Sequence, residues 1–183
     1  MYQRRTSEKL QTREENGKRY VEGYCLVYNS VWEVDRYLSE VIMPGAAKEA
    51  VTADVRALVN HDTTFVLGRT TPGTLTLKED NHGLYAVVEI NDNDQAAKDL
   101  AARVERGDVD GWSIGFDRWK TEYEQQPDGS VRRIIRWLNI REVSVCTFPA
   151  YTETNASVRD ETPGWDSVAN ELWKKTIKEK LSC

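Results

Sequence analysis

Short segments in which apolar and polar residues alternate make up most of the chain, and this two-residue period is typical of strands with one buried face. Turn sequences such as Pro72-Gly73 and Pro127-Asp128-Gly129 separate several of the segments. Because the strands do not alternate regularly with helices, the pattern favours a β-barrel or a β-sandwich with peripheral helices. The predicted strands cover residues 19–28, 37–42, 54–60, 65–70, 74–78, 84–90, 113–124, 131–137 and 140–148.

Helical spacing of apolar residues appears in fewer places. It is clearest over residues 93–106, and Gly107 is suited to end that helix. A short helix is predicted over 46–51. An amphipathic helix is predicted over 165–181, with lysines in its second half, where the helix dipole favours cations. This last helix either packs on the β domain or docks on a partner.

Length and local composition predict one folded domain with a tail at each end. The 183 residues suffice for one ordinary domain. Residues 1–18 are charged and are predicted to be a flexible N-terminal segment, 19–159 form the folded domain, and 160–183 are a linker and the C-terminal amphipathic helix. The N-terminus lacks the apolar core of a secretory signal, and no stretch approaches the about 20 apolar residues of a membrane span.

Charge and cysteine content argue against several functional classes. The net charge of −5 at pH 7 disfavours broad contact with nucleic-acid phosphates. The three cysteines, Cys25, Cys146 and Cys183, are far apart and odd in number, which favours a reducing compartment over a disulfide framework. With two histidines and no closely spaced ligand motif, the sequence predicts neither a metal site nor a cofactor.

The segment Gly111-Trp112-Ser113-Ile114-Gly115 matches the G-x-S-x-G pattern of a nucleophilic serine. The α/β-hydrolases that usually carry this pattern place a strand before the serine, a helix after it, and the histidine later in the chain. Here the order of helix and strand is reversed and both histidines come earlier, which excludes that family. Gly115 shares the strand face of Ser113 and would leave room for a peptide backbone. Taken alone, Ser113 is better explained as a small polar residue on a solvated strand face.

His61 follows an apolar predicted strand, in Val59-Asn60-His61-Asp62. A histidine at a strand end is accessible enough to act as a general base, although a lone histidine is more often structural. The second histidine, His82, lies in a predicted hairpin turn, where side chains usually face solvent, and no role is assigned to it.

Glu142 interrupts a strand that otherwise reads as core, and it shares a face with Ser144 and Cys146. A carboxylate at such a position needs a partner, because burying an unpaired charge is unfavourable. One solution is a hydrogen bond to the far ring nitrogen of His61, which would fix the tautomer and stabilise the imidazolium. The alternative is an ion pair with Arg141 or another surface arginine.

Taken together and in order, these segments resemble the phage prohead maturation proteases, a family whose fold is related to that of the herpesvirus assembly proteases. The resemblance covers about residues 19–159. Its landmarks are Glu22-Gly23-Tyr24, Tyr28-Asn29-Ser30, the segment 40–46, the segment 54–62 with Asn60-His61-Asp62, Leu67-Gly68-Arg69-Thr70, Arg106-Gly107-Asp108-Val109, Ser113-Ile114-Gly115-Phe116, and the segment 142–151. The resemblance implies a mainly β (α+β) protease domain at 19–159, built as a closed or partly closed antiparallel barrel with peripheral helices.

The resemblance also implies the site residues. The catalytic serine and histidine of the family fall on Ser113 and His61. The related herpesvirus enzymes use a second histidine located after the serine, which this chain lacks. Glu142 stands in the corresponding strand region, and we assign it as the residue that orients His61.

The implied function is that of a serine endopeptidase of capsid maturation. Its substrates would be the scaffolding segment of the major capsid protein, or a separate scaffold, and the protease itself. It would act inside the immature virion head in the host cytoplasm, as a homo-oligomer, with no nucleic-acid or membrane partner. Two alternatives stay open: a catalytically silent assembly protein of the same fold that binds scaffold or capsid protein, and a cysteine hydrolase that uses Cys146.

Overall fold

The computed structural model describes residues 10–148. The predicted C-terminal helix at 165–181, the linker before it, residues 149–159 of the predicted domain and the first nine residues lie outside the described residues. Within 10–148 the protein is mainly β, as predicted, with one α-helix and one short 3-10 helix.

The strands and helices follow one another in this order: β1 (Gln11–Glu15), β2 (Lys18–Val27), β3 (Val31–Glu33), β4 (Leu38–Ile42), a 3-10 helix (Lys48–Val51), β5 (Arg56–Val59), β6 (Asp62–Arg69), β7 (Leu75–Glu79), β8 (Gly83–Glu89), α1 (Gln95–Arg106), β9 (Gly111–Gln125) and β10 (Val131–Cys146). β1 lies within the segment that the sequence predicted to be flexible. It pairs with β2, from Gln11 opposite Glu22 to Glu15 opposite Lys18.

The described strands form two sheets. The smaller sheet has the order β1-β2-β8-β7 and is antiparallel throughout. In the larger sheet β10 is central: β4 and β5 pair with it in parallel along one side, and β9 pairs with it antiparallel along the other. β3 lies beyond β4, and β6 lies beyond β5.

The predicted antiparallel barrel, closed or partly closed, is therefore not confirmed for residues 10–148. The reason lies in β10, which spans 16 residues where the sequence predicted two separate strands. Its first part pairs with β4 and its last part with β5, end to end on the same side, so the sheet branches at β10. The register between β10 and β9 shifts near Asn139 and Ile140, so the middle of β10 is irregular. The sequence pattern predicted a break between two strands at this place.

One hydrophobic core joins the two sheets and the helix. α1 begins two residues later than predicted, at Gln95, where the Asp94 carboxylate caps it by accepting from the amides of Ala96 and Ala97; left-handed Gly107 ends it, as predicted. Its buried face and the inner residues of both sheets form one cluster, which includes Val21, Leu84, Val88, Ala97, Leu100, Val104, Ile135, Leu138, Val143 and Val145. The core thus fixes β10 and, through it, β5 and β9.

A two-residue turn joins β5 to β6. Val59 and Asp62 are paired, so Asn60 and His61 are its two central residues, and their φ angles are 50° and 60°. Positive φ at both central positions is the requirement of a type I′ hairpin turn, whose usual sequence is Asn-Gly. Asn60 fits the first position well, whereas His61 occupies the position that glycine prefers.

Contacts with β10 hold this turn in place. The amide of Asn60 donates to the carbonyl of Val145 at 3.0 Å, and its side-chain oxygen accepts from the amide of Thr147 at 3.0 Å. The amide of His61 donates to the hydroxyl of Ser144 at 3.2 Å. A left-handed conformation at a non-glycine residue is unfavourable unless its surroundings impose it, and these three hydrogen bonds do so.

The conformation of residue 61 can be tested by a matched pair of substitutions. Alanine and glycine both remove the imidazole, but only glycine adopts a positive φ without conflict between Cβ and the backbone. We expect His61→Gly to be more stable than His61→Ala by about 1 kcal/mol, measured as the free energy of unfolding in urea. Equal stability, or a more stable alanine variant, would contradict a left-handed conformation at this position.

Candidate active site

Ser113 is the third residue of β9 and lies directly opposite Ser144 of β10. The strand alternation separates it from Trp112, whose indole is part of the core. Gly23 of β2 leaves the space for that indole, because a Cβ at residue 23 would lie 2.9 Å from Nε1 of Trp112. Close packing on the core side therefore fixes the start of β9 and directs Ser113 to the opposite face.

The structure brings Ser113, His61 and Glu142 together. Nε2 of His61 lies 2.9 Å from Oγ of Ser113, and Nδ1 lies 2.6 Å from Oε1 of Glu142. Since a carboxylate can only accept, Nδ1 carries a proton, and a neutral ring can then accept the serine proton at Nε2. The geometry is that of a nucleophile, a base and a residue that orients the base.

The alternative ion pair between Glu142 and Arg141 is not formed. Arg141 points to the neighbouring Asp117, with 3.6 Å between Nε and Oδ2. Glu142 instead uses one oxygen for His61 and the other for Ser144. Its side chain is only 14% exposed, so these two donors satisfy a carboxylate that is largely withdrawn from water.

Gly115 has a different use from the one predicted. An ideal Cβ at this position would lie 2.1 Å from Oε1 of Glu142. The space beside Gly115 is thus filled by the Glu142 carboxylate and is not free for the backbone of a bound peptide. The missing side chain lets Glu142, opposite Gly115 on β10, extend toward His61.

Ser144 was not among the predicted site residues. It is fully buried, and its hydroxyl donates to Oε2 of Glu142 at 2.5 Å while accepting from the amide of His61. The sequence did indicate that Ser144 shares the face of Glu142. Its contact with the turn that carries His61 depends on the parallel pairing of β10 with β5, which the strand pattern does not show.

The surroundings of His61 favour its protonated form. Contact with the Cys146 thiol and the hydrogen bond to Glu142 raise the pKa of His61 to about 10, and burial opposes the rise only in part. The site therefore draws a proton toward His61, which is what removing a proton from Ser113 requires.

The remaining sequence candidates lie away from this cluster or are buried beside it. His82 is exposed, and its ring packs edge-on against Tyr24 at 4.5 Å. Cys146 is buried next to His61, on the same β10 face as Glu142. Within residues 10–148 no three His, Cys, Asp or Glu side chains are placed to hold a metal ion, and no helix there is long and apolar enough to cross a membrane.

Comparison with known proteins shows which family the chain belongs to. The family model of the caudovirus prohead serine protease matches residues 6–164. The prohead protease of Enterobacteria phage HK97 is 33% identical over 157 residues, which are 83% of this chain and 65% of that protein, so the chain spans just under two thirds of its relative's length. No solved structure matches, and the relation to herpesvirus proteases stays a prediction. Since the family model spans nearly all of the chain, the protein belongs to the caudovirus prohead serine protease family.

Proposed function

We propose that the protein is a serine endopeptidase of capsid maturation, with Ser113 as nucleophile, His61 as general base and Glu142 as the residue that orients His61. The observation that carries the proposal is the continuous chain of contacts from Ser113 Oγ through both ring nitrogens of His61 to Glu142 Oε1, at 2.9 and 2.6 Å. Family membership supports the reaction class.

The proposed proton transfers follow the order of these contacts. His61 Nε2 takes the hydroxyl proton as Ser113 Oγ attacks the peptide carbonyl carbon, and Glu142 stabilises the imidazolium that forms. The imidazolium then gives that proton to the leaving amine as the C–N bond breaks, which leaves an acyl-enzyme. His61 next takes a proton from water, whose oxygen attacks the ester, and returns it to Ser113 as the acid product leaves.

The substrates follow from the family rather than from the fold. We propose that the enzyme cleaves the scaffolding segment of the major capsid protein or a separate scaffold, and that it cleaves itself. It would do so as a homo-oligomer inside the immature head in the host cytoplasm. The relative in phage HK97 carries the name of a prohead protease, which supports this setting.

Coexpression with the major capsid protein of the same phage tests the nucleophile. We expect Ser113→Ala to abolish cleavage, because no other hydroxyl is assigned to attack the carbonyl. Cys146→Ala is the matched control, since Cys146 also adjoins His61, and it should retain cleavage. Gel electrophoresis of the capsid protein gives the readout. Cleavage by Ser113→Ala together with loss in Cys146→Ala would favour a cysteine hydrolase, and no cleavage by the wild type would favour a silent assembly protein.

The pH dependence of the reaction tests the base and its carboxylate. His61 accepts a proton only when neutral, and its pKa is raised from 6.5 toward about 10. We therefore expect kcat/KM to rise with pH, with a midpoint above 6.5. Glu142→Gln should move the midpoint down and lower kcat by about 10⁴-fold, with the fold retained. Purified capsid protein is the substrate across the pH range. Unaltered turnover in Glu142→Gln would remove Glu142 from the mechanism.

A further inference from the structure

We propose that Ser144 is a positioning residue of this site: its single hydroxyl holds both the carboxylate of Glu142 and the strained turn that presents His61. The proposal rests on the proposed function, in which Glu142 orients His61. In this proposal Ser144 touches neither the substrate nor the reacting atoms, and it acts through Glu142 and His61.

The direction of each hydrogen bond at Ser144 follows from its partners. The His61 amide can only donate, so Ser144 Oγ accepts from it at 3.2 Å. The Glu142 carboxylate can only accept, so the hydroxyl proton points to Oε2 at 2.5 Å. A hydroxyl can do both at once, and both bonds go to residues of the proposed site.

These contacts close a ring. From the His61 amide the ring passes through Ser144 Oγ and the Glu142 carboxylate and returns to the same histidine at Nδ1. His61 is therefore held at its backbone directly by the Ser144 hydroxyl, and at its side chain by Glu142, which the same hydroxyl contacts. Both oxygens of Glu142 are used, which fixes the plane of the carboxylate relative to the imidazole ring.

Gly115, on the neighbouring strand β9, makes room for the other carboxylate oxygen of Glu142. It pairs with Glu142 across β9 and β10, and the space its Cβ would take is filled by Oε1. Glu142 is thus held by a hydroxyl on one oxygen and lies against a bare Cα at the other. We call Ser144 and Gly115 the Glu142 seat.

The complete burial of Ser144 indicates that its hydroxyl is present for its hydrogen bonds and is not simply a polar group that the fold tolerates. Ser144 lies between Val143 and Val145 in β10, and all three residues are fully buried. A hydroxyl at such a site is unfavourable unless it is hydrogen-bonded, and an apolar residue would suit the packing better. Among residues 10–148, the hydroxyl of Ser144 forms hydrogen bonds only with His61 and Glu142.

Replacing Ser144 with alanine tests the seat, and Ser39→Ala is the matched control. Ser39 is also a buried strand serine, but its hydroxyl adjoins Arg132, away from the site. For Ser144→Ala we expect kcat to fall by up to about 100-fold with little change in KM, because a fully buried residue does not touch substrate. The downfield NMR signal of the His61 Nδ1 proton should be lost as Glu142 gains freedom. Ser39→Ala should change neither.

Wild-type kcat together with an intact Nδ1 signal in Ser144→Ala would overturn the proposal. A second measurement needs no change at Ser144 and covers the case in which that variant does not fold. In Ser113→Ala protein the His61 amide should exchange with solvent slowly although it lies in a turn; fast exchange overturns the proposal. These NMR readouts do not depend on proteolysis, so a failure of the proposed function, seen as cleavage by Ser113→Ala, remains distinguishable.

A double-mutant cycle tests the other half of the seat. Gly115→Ala places a Cβ where Oε1 of Glu142 lies, so it should lower both kcat and the urea midpoint of unfolding. In a Glu142→Ala background the obstructed carboxylate is absent, and the same change should lower neither any further. An equal fall of the urea midpoint in both backgrounds would show that Gly115 serves the backbone and not Glu142.

Discussion

The pairing of β10 with β5 on one side and β9 on the other is the constraint on which the site depends. His61 follows the end of β5, Ser113 lies in β9, and Glu142 lies between them on β10. The three residues are far apart in sequence, yet two adjacent strands and the turn that follows a third bring them together. The buried side chains of Val143 and Val145 anchor the shared strand, so the same packing that stabilises the sheet sets the distances in the site.

The nearly buried carboxylate of Glu142 explains why polar residues lie beside it on this part of the sheet. Glu142 has no arginine or lysine beside it to neutralise its charge within the described contacts, and it is served by His61 and Ser144 instead. Desolvation makes the carboxylate a stronger acceptor, which strengthens its attraction for a proton on His61. The partner that stabilises Glu142 is thus the same group that becomes cationic when it gains a proton during the proposed reaction.

The sequence was informative where a local pattern decides the outcome. The alternation around Ser113 separated it from Trp112, and the helical spacing with Gly107 located α1. The barrel was not confirmed, because strand pattern does not show that one long strand pairs with two others end to end. For the same reason Ser144 was missed: its contact with the turn follows from parallel register between β5 and β10, a long-range property. The sequence indicated that Gly115 leaves space beside the strand, but only the structure shows that the Glu142 carboxylate fills this space.

The Asn60-His61 turn has a consequence for how such proteins diverge. A residue that is kept against the backbone preference of its position persists only while its side chain is useful. If a descendant no longer needed the imidazole, substitution by glycine would relieve the strain and leave an ordinary Asn-Gly hairpin behind. An Asn-Gly pair at this turn in a related chain would therefore mark the loss of the imidazole that acts as base in the proposed mechanism, readable from sequence before any activity is measured.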